Sequence, residues 1–473
     1  MEAATARRRR SSEARAATES PRFVTGSTMR HVFVMSATGS VGLIAIFVVD
    51  FLSLLYISWL GDPKLTAGVG LGTLVLFLTT SINVGFMIAV GALVSRALGA
   101  GERARARRLA TSSCLHTTVA ALAVSVAILA VMPWLLGQLR AGPDVLPVAE
   151  SFLWITMPSN ALMALGMGLS GVLRAVGDAK RAMYVTLSAA VVTVFLDPLL
   201  IFGLGLGTDG AAIAIVVSRA IFAYVGFNGA VRIHDLMARP RWTDLRADAA
   251  AVYAVALPAV ATNVATPLAN AFFVRILARY GDEAIAASAI IDRLVPVAFG
   301  GLFALSGAVG PILGQNWGAR RFDRMRRVLR DSVLLTAAYV AAVWLLLVVL
   351  RGPLTVAFNA EGLTADLLQF FCLVSGFMWF FIGLLFVANA SFNNLGFPLL
   401  STAFNWARAT LGTVPFALLG AFLAGPQGAI AGVAAGSILF GVGAIATAFR
   451  AVAKLERQAL DAPFPASDGP SPR

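Results

Sequence analysis

The chain reads as an all-α membrane protein of twelve transmembrane helices, built as two pseudo-symmetric halves of six. Two observations carry that reading. The first is composition: 58% hydrophobic and 13% charged residues, with a mean hydropathy of +0.82, would leave a water-soluble domain with far too much apolar surface. The second is internal repetition. Gly99-Ala100 followed by Arg105, Arg107 and Arg108 recurs 219 residues later as Gly318-Ala319, Arg324, Arg326 and Arg327. Upstream, with one residue of slippage, Asp50, Gly61, Asp62 and Ala67 align with Asn270, Gly281, Asp282 and Ala287. Downstream, Arg174 and Gly177 align with Asn393 and Gly396. A unit of about 200 residues is too long for a solenoid repeat and indicates a duplicated bundle, an arrangement common among secondary transporters.

Twelve apolar stretches are long enough to cross a hydrocarbon layer of about 30 Å at about 1.5 Å per residue. In the first half they fall at 32–60, 65–95, 110–133, 146–173, 181–206 and 209–232. In the second they fall at 250–280, 284–316, 331–350, 364–392, 398–424 and 427–450. This divides the chain into a disordered basic tail (1–31), a first lobe (32–232), a linker (233–249), a second lobe (250–450) and a C-terminal tail (451–473). The N-terminal tail carries Arg7 to Arg10 and no apolar core, so it is not a cleavable signal.

Lys and Arg in short loops stay on the cytoplasmic side of a membrane. With the N-terminus inside, 29 of the 37 Lys and Arg residues fall in the cytoplasm, and Lys64, Arg140, Arg279 and Arg351 fall outside. The predicted location is therefore the inner (cytoplasmic) membrane, multi-pass, with both termini cytoplasmic. This placement assigns the net charge of +13 to topology and anionic lipid heads rather than to nucleic acid. Cys114 and Cys372 lie in apolar stretches and read as buried thiols.

Of the 24 acids, three fall well inside predicted spans: Asp50, Asp197 and Asp292. A carboxylate at the bilayer centre costs about 2.5 to 3.5 kcal/mol on insertion scales and marks a functional position. Asp50 lies 11 residues before Gly61 and Asp197 lies 10 before Gly207, which places both about 15 Å below the same surface. Two carboxylates facing one low-dielectric cavity repel each other and lose hydration, so the pair takes up a proton or a small cation. Pro198 removes the backbone bond to the Val194 carbonyl and predicts a bend beside Asp197. Thr193, one turn earlier, places a hydroxyl on the same face as Asp197. Asp292 and Arg293 point about 100° apart and call for separate partners. Asn270, the repeat partner of Asp50, and Val414-Pro415, which corresponds to Asp197-Pro198, retain no carboxylate. The proton or cation site is thus expected in the first lobe alone, with Asn270, Asp292 and Arg293 as polar contacts of the second.

Five stretches together resemble the MATE family of multidrug and toxic compound extrusion transporters. They are Val49-Asp50 with Trp59-Leu60-Gly61, Ser95-Arg96-Ala97-Leu98-Gly99-Ala100-Gly101, Leu173-Arg174-Ala175-Val176-Gly177-Asp178, Leu196-Asp197-Pro198, and Gly314-Gln315-Asn316-Trp317-Gly318-Ala319. The resemblance covers about residues 32–450 and implies two lobes around a central cleft that opens alternately to either side. It also implies exchange of an exported organic molecule, cationic or amphiphilic, for a proton or sodium ion. The chain looks closest to the DinF-like prokaryotic branch, whose first-lobe carboxylates correspond to Asp50 and Asp197. Thr193 stands where that branch often has Asn, and Ile215 where some relatives have a Thr that helps hold a cation. Both changes remove oxygen ligands that sodium needs, so protons are the expected coupling ion.

Other readings are a sodium-coupled exporter, a lipid-linked oligosaccharide flippase using Arg219, Arg275, Arg293 and Arg408 on a pyrophosphate, and an intramembrane hydrolase with Ser170 and His116. Gly166, Gly168 and Gly171 read more simply as close-packing positions between helices. No metal-ligand spacing and no phosphate-binding loop is present in the sequence. No cofactor is expected. The expected partners are small organic substrates and membrane lipids, with no nucleic acid, and the chain is expected to act as a monomer.

Overall fold

The computed structural model describes residues 21–138 and 142–461. These residues form apolar helices joined by short turns. In the first lobe they are α1 (Thr28–Ser58), α2 (Pro63–Gly99), α3 (Arg103–Gln138), α4 (Leu146–Val176), α5 (Ala179–Gly203) and α6 (Gly207–Ile233). In the second they are α7 (Trp242–Tyr280), α8 (Asp282–Gly318), α9 (Phe322–Ala357) and α10 (Gly362–Leu395). One further run, Pro398–Asp461, breaks at Ala424 and Gly425, where φ is −143° and +61°. It divides into α11 (398–423) and α12 (426–461), which completes twelve crossings.

The helix starts follow local chemistry. Asp62 accepts the Lys64 N–H at 2.8 Å ahead of Pro63, Ser27 caps α1, and Asp178 caps α5 through the Arg181 N–H at 3.1 Å. Gly177 and Gly396, repeat partners, end α4 and α10 in the left-handed region at φ +92° and +90°. A side chain would be strained there, which explains the repeated glycine.

The helix contacts obey the repeat. α1 packs on α8 as α7 packs on α2; α1 meets α5 as α7 meets α11; α2 meets α4 as α8 meets α10. At the approximate two-fold axis α2 and α8 touch backbone to backbone. A Cβ on Gly99 would strike the main chain at Gln315, and one on Gly318 would strike the main chain at Arg96. Arg96 and Gln315 are themselves repeat partners and make matching cross-lobe bonds. Arg96 Nε and Nη2 donate to the Asn394 and Asn393 carbonyls at 2.7 and 2.8 Å, and Gln315 Nε2 donates to the Ala175 carbonyl at 2.6 Å. Thr28 with Asp331 and Ser112 with Asp248 form another matched pair.

Among the described residues, every side-chain hydrogen bond between the lobes lies at the end that carries the basic loops. Glycine contacts continue the seam inward through Gly85 on Val260, Gly39 on Ala304 and Gly300 on Phe47. The lobes are thus joined from the basic end as far as Phe47, three residues short of Asp50. Beyond that point Asp50 of α1, Asn270 of α7 and Asp292 of α8 are exposed.

Three boundaries differ from the sequence reading. Pro21 to His31, assigned to the disordered tail, are ordered, because Phe23 is buried and the main chain of this stretch is hydrogen-bonded. Residues 1–20 of that tail lie outside the described residues. The linker is shorter than 233–249, since α7 begins at Trp242 and Asp248 is held by Arg108 at 3.0 Å and Ser112 at 2.8 Å. The C-terminal tail begins later than 451, because α12 continues to Asp461; residues 462–473 are outside the description. The linker is clamped by His234, whose Nε2 bonds Asp178 Oδ2 at 2.8 Å. Burial works to raise the Asp178 carboxyl, and its bonds with Arg181 and His234 outweigh that and hold it below the usual carboxylate range.

Candidate functional site

Close approach of α1 and α5 builds the site. Gly42 of α1 faces Thr186 of α5, where an added Cβ would come within 3.3 Å of the Thr186 Cβ. Further along the same helices, Asp50 and Ser53 share a face of α1 at i, i+3, and the Ser53 hydroxyl donates to Asp197 Oδ2 on α5. Asp197 is 1% exposed, and its other oxygen, Oδ1, is buried with no hydrogen-bond partner. Asp50 is exposed and within electrostatic reach of Asp197. An exposed carboxylate, Asp50, thus lies on the same face of α1 as the hydroxyl that holds the buried one.

The flanking residues depart from expectation. Thr193 is buried, but its hydroxyl donates to the Ala189 carbonyl at 3.0 Å, so the donor to Asp197 is Ser53 instead. Back-bonding to the preceding turn is the usual choice for a threonine inside a helix in apolar surroundings. After Pro198 the backbone passes into a π-helical turn, Leu199–Gly203, closed by Leu204 N–H to the Leu199 carbonyl at 2.9 Å. The irregularity predicted from Pro198 takes that form. Ile215 packs in the apolar cluster of the first lobe.

In the second lobe, Asn270 Nδ2 donates to both oxygens of Asp292 at 3.2 Å. The repeat partner of Asp50 has become the amide that holds an exposed carboxylate on α8. Arg293 is exposed beside it. Arg219 and Arg408 are each only 7% exposed and are held within their own lobes. Arg219 Nη1 bonds the Thr156 carbonyl and Ser159 Oγ, both at 2.9 Å, where α4 is interrupted at Met157–Ser159. Arg408 lies in a π-helical turn, Arg408–Gly412, and reaches Thr266 Oγ1 at 3.4 Å. His116 engages the Leu245 carbonyl at 3.1 Å rather than Ser170, which is buried without a partner.

Comparison with known proteins meets this geometry at the level of the repeat. The MatE family model matches residues 40–199 and again 258–419, one block in each lobe. The chain belongs to the MATE family. It is similar to an FAD transporter of Shewanella oneidensis, 26% identical over 414 residues that cover 86% of this chain and 91% of that protein. It is also similar to the probable multidrug resistance protein NorM of Thermotoga maritima, 24% identical across 70% of this chain and 73% of that one. In fold it matches the Vibrio cholerae MATE transporter VcmN in its bent form, with a TM-score of 0.85 at 22% identity over 91% of this chain and 97% of that one. A MOP-superfamily transporter from Pyrococcus furiosus matches with a TM-score of 0.86 at 17% identity, covering 93% and 99%. This MATE chain is therefore an integral multi-pass membrane transporter of the twelve-helix, two-lobe type.

Ser53 is the one side chain bonded to Asp197 among the described residues, and its removal is informative. Ser53→Ala should lower transport about tenfold, the cost expected for losing a hydrogen bond to a charged group. Ser53→Thr, which keeps the hydroxyl, should restore most of it. Equal rates for Ser53→Ala and wild type would remove Ser53 from the site.

Proposed function

We propose that this MATE transporter exports organic, cationic or amphiphilic compounds in exchange for protons, and that Asp50, Ser53 and Asp197 form the coupling site. The observation that carries the reading is the buried Asp197 carboxylate, which has one oxygen held by Ser53 and the other without a partner. A buried, half-satisfied carboxylate is costly unless it carries a proton or an ion. Sodium would need several oxygens, and Ile215, packed in the apolar cluster of the first lobe, supplies none. A proton needs only the vacant Oδ1 and a water path, which the exposed Asp50 provides. Asp292, steadied by Asn270 on the opposite lobe, supplies a second negative group for a cationic substrate.

A second reading is export of an anionic dinucleotide such as the FAD named for the Shewanella relative, with exposed Arg275 and Arg293 as phosphate partners. The two separate in proteoliposomes bearing a preset pH gradient. Under the first reading ethidium should collapse the gradient faster than FAD, and Asp292→Asn should slow ethidium about tenfold. Faster collapse with FAD, sensitive to Arg293→Gln, would favour the second.

The proposed orientation places the basic loops and both termini in the cytoplasm of the inner membrane, so that the cleft faces outward. Externally added, membrane-impermeant thiol reagent should reach Ala360→Cys and fail at Arg105→Cys and Arg326→Cys. Arg140, predicted outside, lies beyond the described residues. The reverse labelling pattern would invert the assignment.

A further inference from the structure

We propose that Pro21–Gly26 is a strap that fastens the lobes at the basic end and must detach before that end of the cleft can open. Its main chain is held by the second lobe. The Phe23 N–H donates to Gln315 Oε1 at 2.9 Å, and the Phe23 carbonyl accepts from Asn316 Nδ2 at 3.2 Å and Arg324 Nη2 at 2.9 Å. Arg324 also binds the Thr25 carbonyl at 3.1 Å and the Gly26 carbonyl at 2.9 Å, while its Nε bonds Asn316 Oδ1 at 3.1 Å. At the first residue of α1, Thr28 bonds Asp331 of α9. The Arg22 and Phe23 side chains also press on the first lobe. Phe23 is 1% exposed, and a Cβ on Gly177 would lie 2.9 Å from both Phe23 Cζ and Arg22 Cδ. The strap also runs covalently into α1 of the first lobe. Parting the lobes here must therefore break its bonds or strip Phe23 from Gly177.

The repeat shows that the strap is an addition to the symmetric seal. In the second lobe Gly396, the partner of Gly177, is covered by Trp317 of α8, 3.4 Å from an added Cβ. The repeat partner of Trp317 is Leu98, and in the first lobe the aromatic cover comes from Phe23 instead. Likewise Arg105, the partner of Arg324, is occupied by Glu102 on its own side of the molecule at 2.8 Å. The matched bonds of Arg96 and Gln315 join the lobes without the strap. Fastened on one side only, the strap adds to the state closed at the basic end and sets how often that end opens.

The test uses the full chain with Cys114 and Cys372 replaced by Ala. Its reporter is Ala308→Cys, on the wall of the small cavity between the lobes that also includes Met35, Thr38, Gly39, Ala182 and Ala304. Phe23→Ala and Arg324→Ala should each raise the rate at which a small thiol reagent modifies the reporter by about tenfold, the effect of losing one well-made contact of the closed state. A disulfide between Thr28→Cys and Asp331→Cys, formed in the Phe23→Ala background, should bring the rate back to that of the parent or below. That reversal separates a loosened seam from a misfolded protein. Parental labelling rates in both single variants, or a raised rate that the disulfide leaves unchanged, would overturn the proposal.

Discussion

Asp197→Asn should abolish export driven by a pH gradient, a loss of at least about a hundredfold, while folded protein still reaches the membrane at wild-type level. The amide matches the carboxyl in size and polarity and can still accept from Ser53, so packing of α1 on α5 survives. What it lacks is a protonation equilibrium, and a ligand shifts two states only through differential interaction with them. Asp50→Asn should be nearly as severe, because it removes the exposed member of the pair. Substrate binding without a gradient should persist in both variants. Undiminished pH-driven export by Asp197→Asn would remove the carboxylate from the mechanism.

Gly99→Ala should open the basic end. Its Cβ would be driven into the main chain at Gln315, a backbone contact that no rotamer change relieves. Overpacking of this kind costs about 1 to 3 kcal/mol, and here it falls on the state in which α2 and α8 touch. The ratio of closed to open molecules should fall about tenfold to a hundredfold, read as faster thiol labelling at Ala308→Cys. Gly318→Ala should act alike, since its Cβ meets the main chain at Arg96 across the same axis. Gly91→Ala is the control: nothing lies within 4 Å of a Cβ there, and replacing a helical glycine by alanine stabilises by up to about 1 kcal/mol. Equal labelling in all three variants would show that this contact does not govern closure.

The sequence made the spans, the duplication and the carboxylates legible because each leaves a linear signature: apolar length, an offset of about 219 residues between the halves, and rare acids in apolar runs. It hid what depends on pairing between distant segments. Ser53 lies 144 residues from Asp197 and is one serine among many until α1 meets α5. Thr193 was visible as a hydroxyl near Asp197, but its choice of the Ala189 carbonyl is a local competition that spacing does not decide. Asn270 and Asp292 each stand out as polar residues in apolar runs, and only the packing of α7 against α8 makes them partners. The strap leaves no linear signature. Residues 21–26 are too short and too polar to signal order, and Phe23 becomes a buried anchor only because Gln315, Asn316 and Arg324 gather around it. Pro198 gave the place of an irregularity and left its π-helical form undetermined, since the terminal turn depends on neighbours as well as on the missing N–H.

The central claim, that protons drive this transporter through the first lobe, is tested most directly by transport into inverted proteoliposomes under separately imposed ion gradients. A pH gradient, acid inside, should drive ethidium uptake in sodium-free buffer, and an inward-to-outward sodium gradient at constant pH should not. Asn270→Ala should reduce the pH-driven rate far less than Asp50→Asn does. Uptake driven by sodium alone, with none from the pH gradient, would contradict the account.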